Sequence, residues 1–140
     1  MTTLTQQTAH GRIPLTHVPL VGPGIWSGRA LWAAQIFAAG MFLLSGTLKL
    51  AGAPAMVQLF DAIGIGQWFR YVTGSIEVVS AILLLVPSLA FFGALALAGT
   101  MVGAIFTHLF IVGGSPAVAV LLLAITSAVA WGRKRDRHGR

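Results

Sequence analysis

The sequence predicts an all-α integral membrane protein, a four-helix bundle with a short interfacial helix between spans one and two. Three observations carry that prediction. Hydrophobic residues make up 56% of the chain and charged residues only 9%, with a mean hydropathy of +0.87. Soluble domains carry about 25% charged residues, so a water-soluble fold would lack the polar surface to cover this core. Apolar stretches that can cross about 30 Å of hydrocarbon as helices then recur four times. Finally, two of the three connections are tight Pro/Gly turns, which suit antiparallel neighbours in a compact bundle. At 140 residues the chain is one domain on length alone.

Residues 1–28 carry Pro14, Pro19 and Pro23 among scattered Thr, Gln and His, and read as a flexible N-terminal tail. His10 and His17 lie there as isolated, solvated residues rather than metal ligands. No cleavable signal peptide is expected, because the first long apolar run starts only after Arg29. The membrane domain is expected over 29–132. Span one covers about 30–50, without a formal charge between Arg29 and Lys49. Trp26 and Trp32 sit where an interfacial belt would place them. Ala33, Ala34, Ala38, Ala39, Gly40, Ser45 and Gly46 permit close helix contact.

The loop at 51–67 holds a short helix in the interface. Pro54 suits its first turn and Gly64 its stop, while Met56, Val57, Leu59, Phe60 and Ile63 supply an apolar face. Span two covers about 67–86 and ends at the Pro87-Ser88 turn. Span three covers about 89–112 and contains Gly99-Thr-Met-Val-Gly103, a small-xxx-small pattern that favours helix–helix contact. Gly99 and Gly103 suit packing within the monomer and self-association equally well. Span four covers about 115–131, with Ser115 as N-cap and Pro116 at the first helical position. A basic tail follows at 133–140.

Five of the nine Lys and Arg residues (Arg133, Lys134, Arg135, Arg137 and Arg140) lie in that tail. A cluster directly after an apolar span is the place for an anchor near anionic lipid. No aromatic residue is interleaved and no nucleic-acid motif is present, so nucleic acid is excluded as a partner. Four spans put both termini on one side. Arg12, Arg29 and the five tail residues then share that side, and only Lys49 and Arg70 face the other. The positive-inside rule makes both termini cytoplasmic. The chain has no cysteine, which excludes disulfides, thiol redox chemistry and Cys-ligated metal or iron–sulfur centres.

Glu77 poses the chemical question. A carboxylate within a span costs about 2.5–3.5 kcal/mol on insertion scales, so it requires a partner, a proton or a water-lined cavity. Span two runs inward from Arg70, which puts Glu77 about 10 Å deeper. Lys49 ends span one on the same side, and His108 lies about one turn before the end of span three. Lys49, Arg70, Glu77 and His108 therefore share the outer half of the membrane. Arg70, Thr73, Glu77 and Ser80 fall on one stripe of span two. Gln35, Phe42 and Lys49 share a seven-residue spacing, with Ser45 four residues before Lys49, and Ala104 shares a face with His108. If those faces turn inward, Glu77 meets Lys49 or His108. The layer is then either a neutralised pair that locks packing or a site of chemistry, with His108 as a proton relay or quinone hydrogen-bond donor. Arg70 at a span end can simply snorkel. His108 is the only histidine in a span, so haem would lack a second axial histidine. No catalytic residue and no metal ligand set is identified.

Four segments together resemble the DoxX-like family. They are the run from Phe42 to Leu50 (Phe-Leu-Leu-Ser-Gly-Thr-Leu-Lys-Leu), then Phe60-Asp-Ala-Ile-Gly-Ile-Gly, Gly74-Ser-Ile-Glu77, and Met101-Val-Gly-Ala-Ile-Phe-Thr-His108. The resemblance covers roughly residues 30–131. Its ordered pattern is G-x-x-K, a short loop helix, G-x-x-E and A-x-x-x-H. It implies a small four-helix protein of the bacterial cytoplasmic membrane, with Lys49, Glu77 and His108 in the family's polar positions. Some members are the membrane subunit of a thiosulfate:quinone oxidoreductase. The resemblance therefore implies an accessory or quinone-facing subunit, with quinone as cofactor and a soluble redox enzyme as partner. No soluble catalytic domain is expected, so oxidoreductase activity would need that partner chain. The alternatives are a small proton-coupled transporter and a scaffold or assembly factor without chemistry. The basic residues around Glu77 disfavour a cationic substrate.

Overall fold

A computed structural model describes the backbone of residues 28–138 and the side chains of residues 28–134. The expected N-terminal tail, with Arg12, His10, His17 and Trp26, lies outside the described residues. Five α-helices follow in order: α1 Gly28–Ala51, α2 Pro54–Ile63, α3 Gln67–Leu85, α4 Ala90–Thr107 and α5 Ala117–His138. A π-helical turn, His108–Val112, prolongs α4. There is no strand among the described residues. Four helical stretches, Gly28–Ala51, Gln67–Leu85, Ala90–Val112 and Ala117–Lys134, are long and apolar enough to cross a membrane.

The helix ends follow local chemistry. Gly52, at φ 72°, lets the chain leave α1 in the left-handed region. Pro54 opens α2, and Gly64 at φ 78° closes it by donating its N–H to the Asp61 and Phe60 carbonyls. Val86 precedes Pro87 and is held extended at ψ 113°, which stops α3. A tight turn then joins α3 to α4, with the Leu89 N–H donating to the Val86 carbonyl at 2.9 Å. The Ser115 hydroxyl accepts from the Ala117 N–H at 3.3 Å and caps α5. Helix α5 continues past the expected end of span four through Arg133 and Lys134 to His138, so the basic segment begins as helix rather than as a separate tail. Lys and Arg are good helix formers and complement the negative C-terminal end of the dipole.

The long helices form a ring in which α1 packs on α3, α3 on α4, and α4 on α5, while a smaller α5–α1 contact closes it. Leu31, Ala38, Phe42, Leu84, Ala94, Leu97 and Val129 are among its core residues. The outside is equally apolar, with Ile36, Phe37, Leu44, Val79, Ile82, Leu95 and Phe110 all exposed. A surface of this kind fits lipid and not water.

Glycine sets how closely the helices approach inside the bundle, at positions outside the small-xxx-small pattern. A Cβ at Gly46 would lie 2.9 Å from the Gly74 carbonyl, and one at Gly93 would lie 2.6 Å from the Ser80 carbonyl. Gly46 and Gly74 thus bring α1 onto α3, and Gly93 brings α4 onto α3. At Gly99 and Gly103 nothing lies within 4 Å of such a Cβ. Those two glycines make no helix contact inside the monomer, because their face of α4 points away from both neighbouring helices.

Candidate functional site: a closed polar layer

The Gly46–Gly74 approach places the C-terminal turn of α1 directly against α3. Lys49 stands one turn after Gly46, and Glu77 one turn after Gly74. The Lys49 ammonium donates to Glu77 Oε2 at 2.6 Å, to Glu77 Oε1 at 2.8 Å and to the Ser45 hydroxyl at 2.8 Å. Its three protons are thereby matched to three acceptors. Glu77 is buried and Lys49 half-buried, with side-chain exposures of 3% and 12%. Of the two partners considered for Glu77, the structure brings Lys49 to it.

Arg70 is also buried and does not snorkel. Its guanidinium donates through Nη1 to the Lys49 carbonyl, which also accepts from the Gly52 N–H at 3.2 Å where α1 ends. Its Nε donates to Gln67 Oε1 at 2.7 Å, and the guanidinium carbon sits 4.4 Å from the centre of the Tyr71 ring. Gln67 then donates to Asp61 Oδ1 at 2.7 Å and to the Val57 carbonyl at 3.0 Å. The layer therefore runs from buried Glu77 to the Lys49 ammonium, and from the Lys49 main-chain carbonyl through Arg70 and Gln67 to exposed Asp61, and it ties α1, α2 and α3 together.

Thr73 is half-buried, and its hydroxyl donates back to the Phe69 and Arg70 carbonyls of its own helix. Ser80 is buried one turn beyond Glu77, where its carbonyl faces Gly93. His108 lies at the same end of the bundle but apart from the pair. It opens the π-helical turn, and its Nδ1 lies 3.4 Å from the Gly113 carbonyl. The turn it opens packs against α2, and the close approach of α4 to α3 lies at the other end of α4, at Gly93, whereas Lys49 occupies the α1 side of α3. That separation explains why Lys49 alone reaches the carboxylate.

A second polar cluster sits at the opposite end of the bundle. Gln35 is fully buried and donates to the Leu84 carbonyl at 2.6 Å. Its own carbonyl oxygen accepts from Arg133 Nε at 2.8 Å and from Arg133 Nη2. The Arg133 guanidinium also lies 5.2 Å from the centre of the Trp32 ring. This knot joins α1, α3 and α5. Gln35 was visible in the sequence on the Phe42 and Lys49 stripe. Arg133 was not, because its position among five clustered basic residues suggests a solvated anchor. Gln67 and Asp61 were missed because one falls at the very start of α3 and the other on the loop helix, where span periodicity does not guide their facing.

Four apolar spans around two buried polar clusters define a small multi-pass helical membrane protein. The chain belongs to the DoxX-like family, whose sequence model matches residues 33–132. No curated protein and no solved structure matches the chain.

Proposed function

We propose that the chain is an accessory subunit of a membrane-associated oxidoreductase system, lying in the bacterial cytoplasmic membrane with both termini cytoplasmic. In this reading the polar layer fastens the bundle and performs no chemistry. The observation that carries it is the closure of the Lys49–Glu77 pair: three ammonium protons meet three acceptors. Among the described residues no buried side-chain nitrogen or oxygen lacks a partner. A quinone head group would have to displace bonds already made. A proton could not follow the chain of hydrogen bonds to Asp61, since the path passes through a guanidinium that stays protonated and through the Lys49 main-chain carbonyl. The same closure speaks against a carrier carboxylate that must bind and release its cargo. The association with a redox enzyme rests on the family resemblance.

The test is mild-detergent purification from native membranes, followed by mass spectrometry of co-purified proteins and lipid-soluble ligands. An accessory subunit brings a redox-enzyme chain with it, and Lys49→Met/Glu77→Met protein retains that chain. Suppose instead that a quinone analogue raises the thermal stability of the wild type, and that a normally folded Glu77→Gln protein loses this response. The layer would then be a quinone site and the reading would fail.

A further inference from the structure

At the end of the bundle that carries the Gln35–Arg133 knot, α4 and α5 border an open groove of roughly 650 Å³. That size falls within the about 300–1,000 Å³ typical of small-ligand sites. Phe91, Leu95 and Ala98 of α4 line one side, and Ser127, Ala130, Trp131 and Lys134 of α5 line the other. Each set follows the three-and-four spacing of a single helix face. Ala98, Ser127 and Ala130 are small and leave room between the larger side chains of Phe91, Leu95 and Trp131. The lining is apolar along its length and ends at a lysine, and no acidic residue contributes to it.

We infer that this groove is a binding site for an anionic phospholipid, with an acyl chain along the α4–α5 cleft and the phosphate at Lys134. Two features select that occupant. The first is polarity graded along one axis. Ala98 and Ser127 lie at the deep end, and Lys134 is two turns further along α5, about 10 Å away, with the amphipathic indole of Trp131 between at interfacial depth. The second is charge. In sequence, Lys134 belongs to a segment, 133–140, with five basic residues against the single acid Asp136, an excess that favours anionic lipid. Arg133, its neighbour, is turned inward onto Gln35 and Trp32. A second protein helix in the cleft would have to accommodate the lysine against an apolar face, whereas a phospholipid matches both ends.

Purified full-length protein would be examined by native mass spectrometry after exchange into vesicles or detergent containing either phosphatidylglycerol or phosphatidylcholine. The expected result is selective retention of phosphatidylglycerol. Lys134→Glu should lower that retention on the order of fivefold or more, since one basic residue near an anionic surface contributes a factor of that size. Arg140→Glu makes the same charge change at the end of the chain and should leave most of the retention intact. Ala98→Phe, which fills the cleft without altering charge, should reduce retention of phosphatidylglycerol while the protein stays folded by circular dichroism. Equal retention of the two lipids would overturn the inference. So would equal losses from Lys134→Glu and Arg140→Glu, which would place the effect in the tail's overall charge rather than in the groove.

Discussion

One substitution made at two places on α4 separates the roles of its glycines. At Gly93 an added Cβ would stand 2.6 Å from the Ser80 carbonyl oxygen and 2.7 Å from the Leu84 nitrogen. Both are main-chain atoms of α3 and neither can rotate away. Ordinary contact begins at 3.4 Å, so α4 must retreat from α3 by about 0.8 Å or tilt. That motion would also loosen the packing of Ala94 and Leu97, which are fully buried. Overpacking of this kind costs about 1–3 kcal/mol. At Gly99, six residues on, nothing lies within 4 Å of the added carbon. There the change only relieves the helix of a glycine, a gain of up to about 1 kcal/mol. Gly93→Ala should therefore destabilise and Gly99→Ala should be neutral or mildly stabilising, as read by reversible unfolding in mixed micelles titrated with denaturing detergent. Equal effects, or the reverse order, would refute the α3–α4 packing described here.

Three further outcomes follow from the polar clusters and the topology. Arg133→Met leaves the buried Gln35 carbonyl oxygen without a donor and should cost about 1–3 kcal/mol in the same unfolding assay, whereas Lys134→Met, outside the knot, should cost far less. Arg70→Met removes the bonds that join Gln67 and the end of α1, so amide hydrogen exchange should quicken over residues 50–66 with little change in α4 and α5. Because the chain has no cysteine, single-cysteine labelling can test the orientation: Ala62→Cys should react with an impermeant maleimide from outside intact cells, and Gly139→Cys only after the membrane is opened.

Much of this architecture was legible in the sequence because membrane spans are written in long uniform runs. Lys49, Pro54, Gly64 and Pro87 punctuate those runs, and each does the local work its chemistry suggests. The seven-residue stripe through Gln35, Phe42 and Lys49 was legible for the same reason: helical periodicity survives wherever the helix is regular. Pairing between helices was harder to read. The choice of Lys49 over His108 as the partner of Glu77 depends on which helices adjoin, and that follows from Gly46, Gly74 and Gly93 making the close approaches. Gly99 and Gly103 carry the more familiar spacing, yet they face outward. Spacing alone cannot report which side of a helix has a neighbour when every side is apolar. The Gln35–Arg133 bond joins residues 98 positions apart, and nothing local distinguishes Arg133 from the basic residues after it.

The central claim is that Lys49 and Glu77 form a closed structural pair, and a double-mutant cycle on unfolding stability tests it most directly. Lys49→Met strands the buried Glu77 carboxylate and should cost about 3–5 kcal/mol, Glu77→Met leaves the half-buried ammonium unpaired and should cost less, and the double change should return to within about 1 kcal/mol of the wild type or exceed it. Single variants as stable as the wild type would contradict the account, because a carboxylate or ammonium that is dispensable for stability has been kept in the membrane for some other purpose.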